Sequence, residues 1–364
     1  METIDNNSKV FSTTRRQFLY ALSSVAFAGL SRSNTSAQEK PVVPRTLFCL
    51  QMYSYSIRCR QERGFDDPLK LMQFTSRQGF AGVQLRLGDR NDDYLTQVRT
   101  AKDKLGISLE GIVAPPMMAS DSERFETELR NNRSAGVEVV RMALLSGRRY
   151  ETFHSADAFR QFKTRSEEAL VRVERLASRR KIRVAVENHK DFRADEFADM
   201  VRRPSSEFLG VCLDTGNNIA LLEDPWHVVD TLAPLTLTVH LKDMAVESAT
   251  DGFLLSEVPL GRGFLDLQRI VRRIHEVKPQ ARFHLEMITR NPLSIPCLAD
   301  DYWPAMSEVP GVDLAHTLNL VRRHARPANG LPRIDQLRPM EQVEKEQDQV
   351  TESLRWGNER LFRP

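Results

Sequence analysis

Eight short apolar runs, each followed by a longer stretch with helical periodicity, constrain the fold more than any other feature of the sequence. The runs are LFCLQMY (47–53), GVQLRL (82–87), SLEGIVA (108–114), VEVVRMALL (137–145), RVAVEN (183–188), LGVCLD (209–214), LTVHLKD (237–243) and RFHLEMI (282–288). Runs rich in Val, Ile, Leu and Phe are typical of strands buried on both faces. Strand and helix alternating eight times predict an α/β fold that closes into a (β/α)8 TIM barrel. A doubly wound open sheet is the alternative, but no glycine-rich phosphate loop follows the first run.

The stretches between the runs end on helix-stop signals, which sets the expected domain boundaries. Gly79, Gly106 and Gly136 each follow a helical pattern, and several later patterns close at or before a Pro. VDLAHTLNLVRRHA (312–325) is interpreted as the closing helix, so one barrel domain is expected over residues 46–325. Residues 326–364 are interpreted as a charged C-terminal extension that packs on the barrel or on a neighbour, with one exposed helix over 340–356.

The N-terminus has the zones of an export signal. Arg15 and Arg16 precede an apolar stretch that runs to Leu30, and small polar residues then lead to Ala37. This order is typical of a signal peptide, and the twin arginine indicates the Tat route. Residues 1–40 are therefore predicted to be a Tat-type signal peptide and linker, and the protein is predicted to be periplasmic or otherwise exported. The apolar stretch is too short for a comfortable membrane span, so no stable membrane insertion is expected after export.

Composition narrows the class of partner. The chain has 364 residues, and its apolar fraction of 41% can supply a sizeable core. The net charge of +3 is small and the arginines are dispersed, which argues against a nucleic-acid partner. A small molecule is the expected partner, and the sequence leaves homo-oligomerisation open.

Four metal-type side chains fall at the carboxyl ends of four consecutive runs. Glu187 closes VAVE, Asp214 closes GVCLD, His240 lies in LTVH and Glu286 lies in FHLE. Barrel enzymes keep their chemistry at this end of the strands. An oxygen-rich set with one imidazole suits one divalent ion, Mn²⁺ first, with Mg²⁺, Co²⁺ and Zn²⁺ as alternatives. Taken one at a time, each carboxylate could be a helix cap, but four coincidences on successive strands are improbable.

The segments VENH (186–189), CLDTGN (212–217), VHLKD (239–243) and HLEM (284–287) resemble the xylose-isomerase-like barrels of the sugar phosphate isomerase/epimerase type. The resemblance extends over roughly residues 46–325. It implies that Glu187, Asp214, His240 and Glu286 bind one divalent ion, and that Glu187 and Glu286 also act as the catalytic acid/base pair.

This resemblance favours a metal-dependent isomerase or epimerase of a free sugar or related polyol. Its reaction would be proton abstraction next to a carbonyl through a metal-bound enediolate. A lyase that performs β-elimination on a keto-sugar or keto-glycoside at the same site is the first alternative, and a non-catalytic sugar-binding barrel is the second. A DNA-repair nuclease is disfavoured by the export signal, by the charge and by the number of ligands.

Other polar residues near the strand ends are candidate substrate-binding residues. They are His189 and Lys242, each two positions after a proposed metal ligand, together with Asn217 in the DTGN turn and Arg262 in LGRGF. Each has a structural alternative, such as a solvent-facing histidine, a salt bridge to Asp243, a turn-shaping amide or an exposed arginine. Ketohexose 3-epimerases of the family place a histidine at the position of Asn217 and an arginine soon after the metal-binding histidine. Since KDMAVES has no arginine, a tagatose- or psicose-type assignment is doubtful.

Overall fold

The computed structural model describes residues 48–362, so the proposed signal segment lies outside the described residues. The strands are β1 Phe48–Gln51, β2 Gly82–Leu85, β3 Ser108–Ile112, β4 Val139–Met142, β5 Arg183–Glu187, β6 Leu209–Asp214, β7 Thr236–Leu241, β8 Asp243–Ala249, β9 Gly252–Val258, β10 Arg282–Leu285, β11 Leu293–Ile295 and β12 Ala325–Arg326. The α-helices are α1 Ser56–Gln61, α2 Pro68–Gln78, α3 Asp92–Leu105, α4 Ser122–Ser134, α5 Arg149–Thr152, α6 Ala156–Arg180, α7 Ala194–Arg202, α8 Pro225–Leu232, α9 Leu267–Val277, α10 Gly311–His324 and α11 Pro339–Arg360.

Eight parallel strands form a closed barrel in the order β1-β10-β7-β6-β5-β4-β3-β2. Seven of them lie within one of the apolar runs, and β7 begins one residue before its run, at Thr236. Their residues are almost all buried because helices cover the outside and side chains fill the inside. The predicted (β/α)8 barrel is therefore confirmed.

The outer helices begin and end where local chemistry requires. Asp67 caps α2 by accepting hydrogen bonds from the backbone N–H groups of Leu69 and Lys70 at 3.1 and 3.3 Å. Gly79 ends α2 with φ of 95°, a left-handed conformation that favours glycine. On α9 the apolar residues recur at helical spacing and face the barrel; they are Leu267, Ile270, Val271 and Ile274.

A second, smaller sheet and its own core lie beside the barrel strands. The hairpin of β8 and β9 directly follows β7, and β11 and β12 complete a four-stranded sheet in the order β11-β9-β8-β12. Its apolar side chains, including Met244, Val246 and Phe253, pack with Tyr302 and Met306. We call this sheet and its core the cap. No feature of the sequence predicted the cap.

The C-terminal segment corrects the assignment of the closing helix. Helix α10 packs against β8 of the cap, whereas α11 packs against β1 and β10 of the barrel. A Cβ on Gly357 would lie 2.6 Å from the Phe48 ring, so α11 approaches the barrel closely because this residue is glycine. The C-terminal extension therefore packs on the barrel, one of the two placements expected. The helix predicted over 340–356 has a buried side, and the closing role expected of residues 312–325 falls to α11.

Within residues 48–362, no helix combines the length and apolar character that crossing a bilayer would need.

Candidate metal and substrate site

The carboxyl ends of β5, β6, β7 and β10 bring four potential ligands together. One oxygen each from Glu187, Asp214 and Glu286 and one ring nitrogen from His240 all lie within 4.8 Å of one another. All four side chains are buried. Strand register accounts for this placement, since Asp214 pairs with His240 and Glu286 donates its backbone N–H to Leu241 at 3.1 Å. That these residues hold an ion stays a prediction.

Hydrogen bonds fix the orientation of the His240 ring. Its Nε2 lies 2.8 Å from Gln84 Oε1, and Gln84 Nε2 donates to Glu110 Oε2 at 3.2 Å. Because an amide oxygen only accepts, Nε2 of His240 carries a proton. This leaves Nδ1 facing the site, which is the arrangement seen when a histidine ligates a metal and donates its other nitrogen to a second partner.

The unpaired atoms of the cluster fit a cation. His240 Nδ1 lies 3.3 Å from Glu187 Oε2 and 3.5 Å from Glu286 Oε1, and it has no hydrogen-bond partner among the described residues. A lone pair facing two carboxylates is repulsive unless a proton or a metal ion lies between them. Asp214 adds an oxygen of suitable type: its Oδ1 accepts from Gly216 and Asn217, and its Oδ2 has the Lys242 ammonium 3.1 Å away as its charged neighbour. Three carboxylates and one imidazole are a donor set suited to Mn²⁺ or Mg²⁺.

Two buried cations balance the carboxylates. Arg141 forms an ion pair and a hydrogen bond with Glu187, and the Lys242 ammonium lies 2.7 Å from Glu286 Oε2 and 3.1 Å from Asp214 Oδ2. Burial alone would raise the pKa of both Glu187 and Glu286. Arg141, with His240, instead holds the pKa of Glu187 well below its usual range. Lys242, also with His240, does the same for Glu286. Both carboxylates are therefore ionised at neutral pH. The pKa of Asp214 instead rises to about 6, since its burial outweighs the effect of Lys242.

The predicted substrate-binding residues Asn217, Lys242 and His189 lie around this cluster. Asn217 Nδ2 donates to Glu187 Oε1 at 3.0 Å, and its Oδ1 accepts from Lys242 at 3.1 Å and from Lys190. His189 is half-buried, and burial followed by the charge of Lys190 lowers its pKa to about 3, so its ring is neutral. Its Nδ1 has no hydrogen-bond partner within the described range.

Arg262 lies apart from the other predicted substrate-binding residues. Its side chain is exposed and pairs with Glu352 on α11 at 2.5 Å, and none of its contacts reaches the cluster. The LGRGF loop follows β9, and its backbone N–H groups at Gly261 and Gly263 donate to the Asp243 carboxylate. The structure therefore does not bring Arg262 together with the other predicted substrate-binding residues, and its role in substrate binding stays a prediction.

Four further residues of this site were not predicted from the sequence: Gln84, Lys190, Glu257 and Arg290. Gln84 had a detectable signal, because it is a buried polar residue in the apolar run GVQLRL. Glu257 comes from β9 of the cap, and Arg290 pairs with it through two contacts of 3.1 and 2.5 Å. Neither had a signal, since the cap itself was not foreseen.

The barrel and its buried carboxylate–histidine cluster define a (β/α)8 protein with a candidate metal site at the carboxyl ends of its strands. Residues 72–307 match the model of the family described as Xylose isomerase-like TIM barrel. The chain belongs to this family.

Known proteins with sequence or fold similarity differ in chemistry. The chain is 32% identical over 95 residues, 26% of its length, to a 3-oxo-isoapionate decarboxylase of Pectobacterium atrosepticum, and it spans only 34% of that curated relative. Two solved structures share the fold at a TM-score of 0.52. One is a D-psicose 3-epimerase in the presence of D-fructose, at 15% identity over 76% of this chain and 98% of that chain. The other is a 3-keto-D-glucoside 4-epimerase from E. coli, at 12% identity over 76% and 99%.

Proposed function

We propose that the protein is a divalent-metal-dependent isomerase or epimerase of a small sugar or related polyol. One observation carries the proposal: Glu187 and Glu286, both ionised and buried, flank the free Nδ1 of His240 within 3.5 Å, with Asp214 beside them. Glu187, Asp214, His240 and Glu286 would hold the ion, Mn²⁺ first. When bound, the ion would polarise a substrate carbonyl and lower the free energy of the negative charge that develops on its oxygen.

The chain's own residues supply the proton chemistry in this proposal. Glu187 or Glu286 removes the proton next to the carbonyl and becomes protonated. The same residue can then return that proton, or the other carboxylate returns a proton that it has taken up from solvent while the first releases its own to solvent. Return to the adjacent carbon on the same face gives isomerisation, and return on the opposite face of the original carbon gives epimerisation. Lys242 and Arg141 stabilise the developing negative charge, because buried cations act strongly where water is excluded.

A second function is favoured by the 95-residue match to a decarboxylase. Lyase chemistry at the same site would break a bond next to the carbonyl instead of moving a proton. It requires the same ligands and the same stabilisation of negative charge. The two functions differ in that a lyase releases a fragment of the substrate, whereas an isomerase or epimerase retains all of its carbon and oxygen atoms. A non-catalytic sugar-binding barrel is the third function, and it would not need two ionised carboxylates beside the ion.

Solvent exchange discriminates among these functions. The full chain, loaded with Mn²⁺, is incubated in D₂O with a panel of ketoses, aldoses and 3-oxo sugar acids, and products are followed by NMR and mass spectrometry. Deuterium at the carbon next to the carbonyl, with the carbon skeleton retained, is expected. Loss of CO₂ or of a hydroxyl would support the lyase. Binding without exchange or turnover would overturn both enzymatic proposals.

A further inference from the structure

Charged side chains extend beyond the four proposed ligands in one connected network. It contains four carboxylates, Glu187, Asp214, Glu257 and Glu286, and four cations, Arg141, Lys190, Lys242 and Arg290. With Lys190 protonated these charges cancel, so a divalent ion would leave the network with a net charge of about +2. A site with this balance is suited to an anionic substrate better than to a neutral one.

Lys190 is the cation without a carboxylate partner. Arg141 pairs with Glu187, Arg290 pairs with Glu257, and Lys242 contacts three carboxylates. The Lys190 ammonium donates only to the neutral oxygen of Asn217, although the residue is 3% exposed. An ammonium has three N–H donors, so two of them have no acceptor among residues 48–362.

This arrangement is costly without a further partner. Lys190 and Lys242 donate to the same amide oxygen, which places two like charges next to each other. Burial, followed by the charges of Lys242 and Arg290, lowers the pKa of Lys190 to about 7. An anion in contact with Lys190 would satisfy the two free donors and offset the repulsion.

We propose that Lys190 binds a carboxylate of the substrate, so that the protein acts on a sugar acid and not on a neutral sugar. The inference rests on the proposed function, because it places this carboxylate across the Asn217 amide from the carboxylates that move the proton. One unpaired cation with two free donors matches the single charge of a carboxylate. Phosphate recognition usually adds an arginine fork or several backbone N–H groups, and here both arginines already pair with carboxylates.

Binding through Lys190 also affects whether the substrate keeps its carboxylate. An ammonium stabilises a bound carboxylate in its charged ground state, and this ion pair is lost when the carboxylate becomes neutral CO₂. Loss of CO₂ is therefore disfavoured, and the carboxylate remains in the product. The anchored acid therefore fits an isomerase or epimerase better than a decarboxylase.

Matched ligand pairs test the proposal by calorimetric titration of the Mn²⁺-loaded full chain. The acids D-gluconate and D-galacturonate are compared with their neutral partners D-glucitol and D-galactose, and D-fructose 6-phosphate and inorganic phosphate form a third arm. We expect each acid to bind about 10- to 100-fold more tightly than its partner, as for a hydrogen bond to a charged group. Lys190→Met should remove this preference without changing Mn²⁺ content, and Lys190→Arg should retain it in part.

Lys104→Met is the matched control, since Lys104 is exposed on α3 and the substitution removes the same charge. It should leave the preference intact. Equal binding of acids and neutral partners, no binding of either acid, tighter binding of the phosphate ligands, or a preference that survives in Lys190→Met would each overturn the carboxylate site. Deuterium exchange is measured separately, so a Lys190-dependent preference without exchange would reject the proposed function and keep this site.

Discussion

The amide of Asn217 lies between a carboxylate and two ammonium groups of the site. Its nitrogen donates to Glu187, and its oxygen accepts from Lys190 and Lys242. A neutral amide can make both kinds of contact at once, whereas a carboxylate would repel Glu187 and a histidine could not accept from two ammonium groups. This explains in physical terms why the position differs from the histidine that ketohexose 3-epimerases were expected to place there.

The proton-transfer role of Glu286 can be separated from its role as a ligand. Glu286→Gln keeps the length and one oxygen but removes most of the basicity. Turnover should fall by about 10²- to 10⁴-fold at Mn²⁺ concentrations that restore occupancy, since a general base contributes about this much. Substrate affinity should change far less. Full recovery of turnover on adding metal would mean that Glu286 is only a ligand.

Gln84 is predicted to act on the ion through His240. Gln84→Leu removes the acceptor of the Nε2 proton, so the ring loses its fixed tautomer and orientation. Mn²⁺ affinity should fall by about 10- to 100-fold, the usual effect of losing such a partner. The measurement is metal competition with a chelator. Gln51→Leu is the control, because Gln51 lies beside Gln84 on β1 but bonds to Tyr53. Equal affinity of the two variants would contradict the role.

Sequence predicted the ligands better than their surroundings, for a physical reason. Glu187, Asp214 and His240 belong to regular strands, and the carboxyl ends of parallel strands meet at one end of a barrel. A residue at the end of a predicted strand can therefore be placed at this end of the barrel from the sequence. Lys190 lies after β5, beyond the regular strand. Its burial depends on the Asn217 turn and on the cap, and no residue periodicity encodes either contact.

At the scale of elements, a buried carboxyl group joins α11 to α1. Glu346 accepts hydrogen bonds from the backbone N–H groups of Ile57 and Arg58, at 2.7 and 3.0 Å, at the start of α1. In the sequence, the polar outer face of α11 indicated an exposed helix. The helix carries Val343, Val350 and Leu354 at helical spacing, but this buried side also includes Glu346, Gln349 and Ser353, which weakens the apolar pattern.

Glu346 should make stability depend on pH. Burial raises its pKa to about 7 despite the two backbone hydrogen bonds. The folded state therefore favours the protonated form, so its contribution is complete below about pH 4.5 and is lost as pH rises through about 7. We expect the wild type to lose at most about 3 kcal/mol of unfolding free energy from this group over that window.

Urea unfolding of Glu346→Gln at pH 4.5 to 8 measures this contribution. The loss due to residue 346 should be absent in the variant, and it should persist in Glu344→Gln, which changes an exposed carboxylate on the same helix. A wild type and a Glu346→Gln variant with parallel pH profiles would show that this carboxyl does not titrate differently on folding.

At the scale of the whole molecule, the proposed metal site requires the barrel to fold before it can bind the ion. The four proposed ligands come from β5, β6, β7 and the end of β10, which only the closed barrel brings together. An unfolded chain would offer these side chains separately, so the ion and the fold depend on each other. A protein exported in the folded state through the Tat route could acquire its ion in the cytoplasm, before it meets the metals of another compartment.

Replacement of Arg15 and Arg16 by lysine tests this route, which we propose from the sequence of residues 13–37. If the pair is read by the Tat machinery, the double variant should accumulate as precursor inside the cell, because lysines keep the charge but not the recognised pair. The measurement is fractionation with immunoblotting, together with the metal content of the retained protein. That protein should be folded and carry about one ion per chain, since the ligand set lies outside the substituted segment. Arg32→Lys, in the same segment but outside the pair, should be exported normally. Delivery of the double variant at the wild-type level would reject the Tat route, while retained protein that is folded but metal-free would reject loading before export.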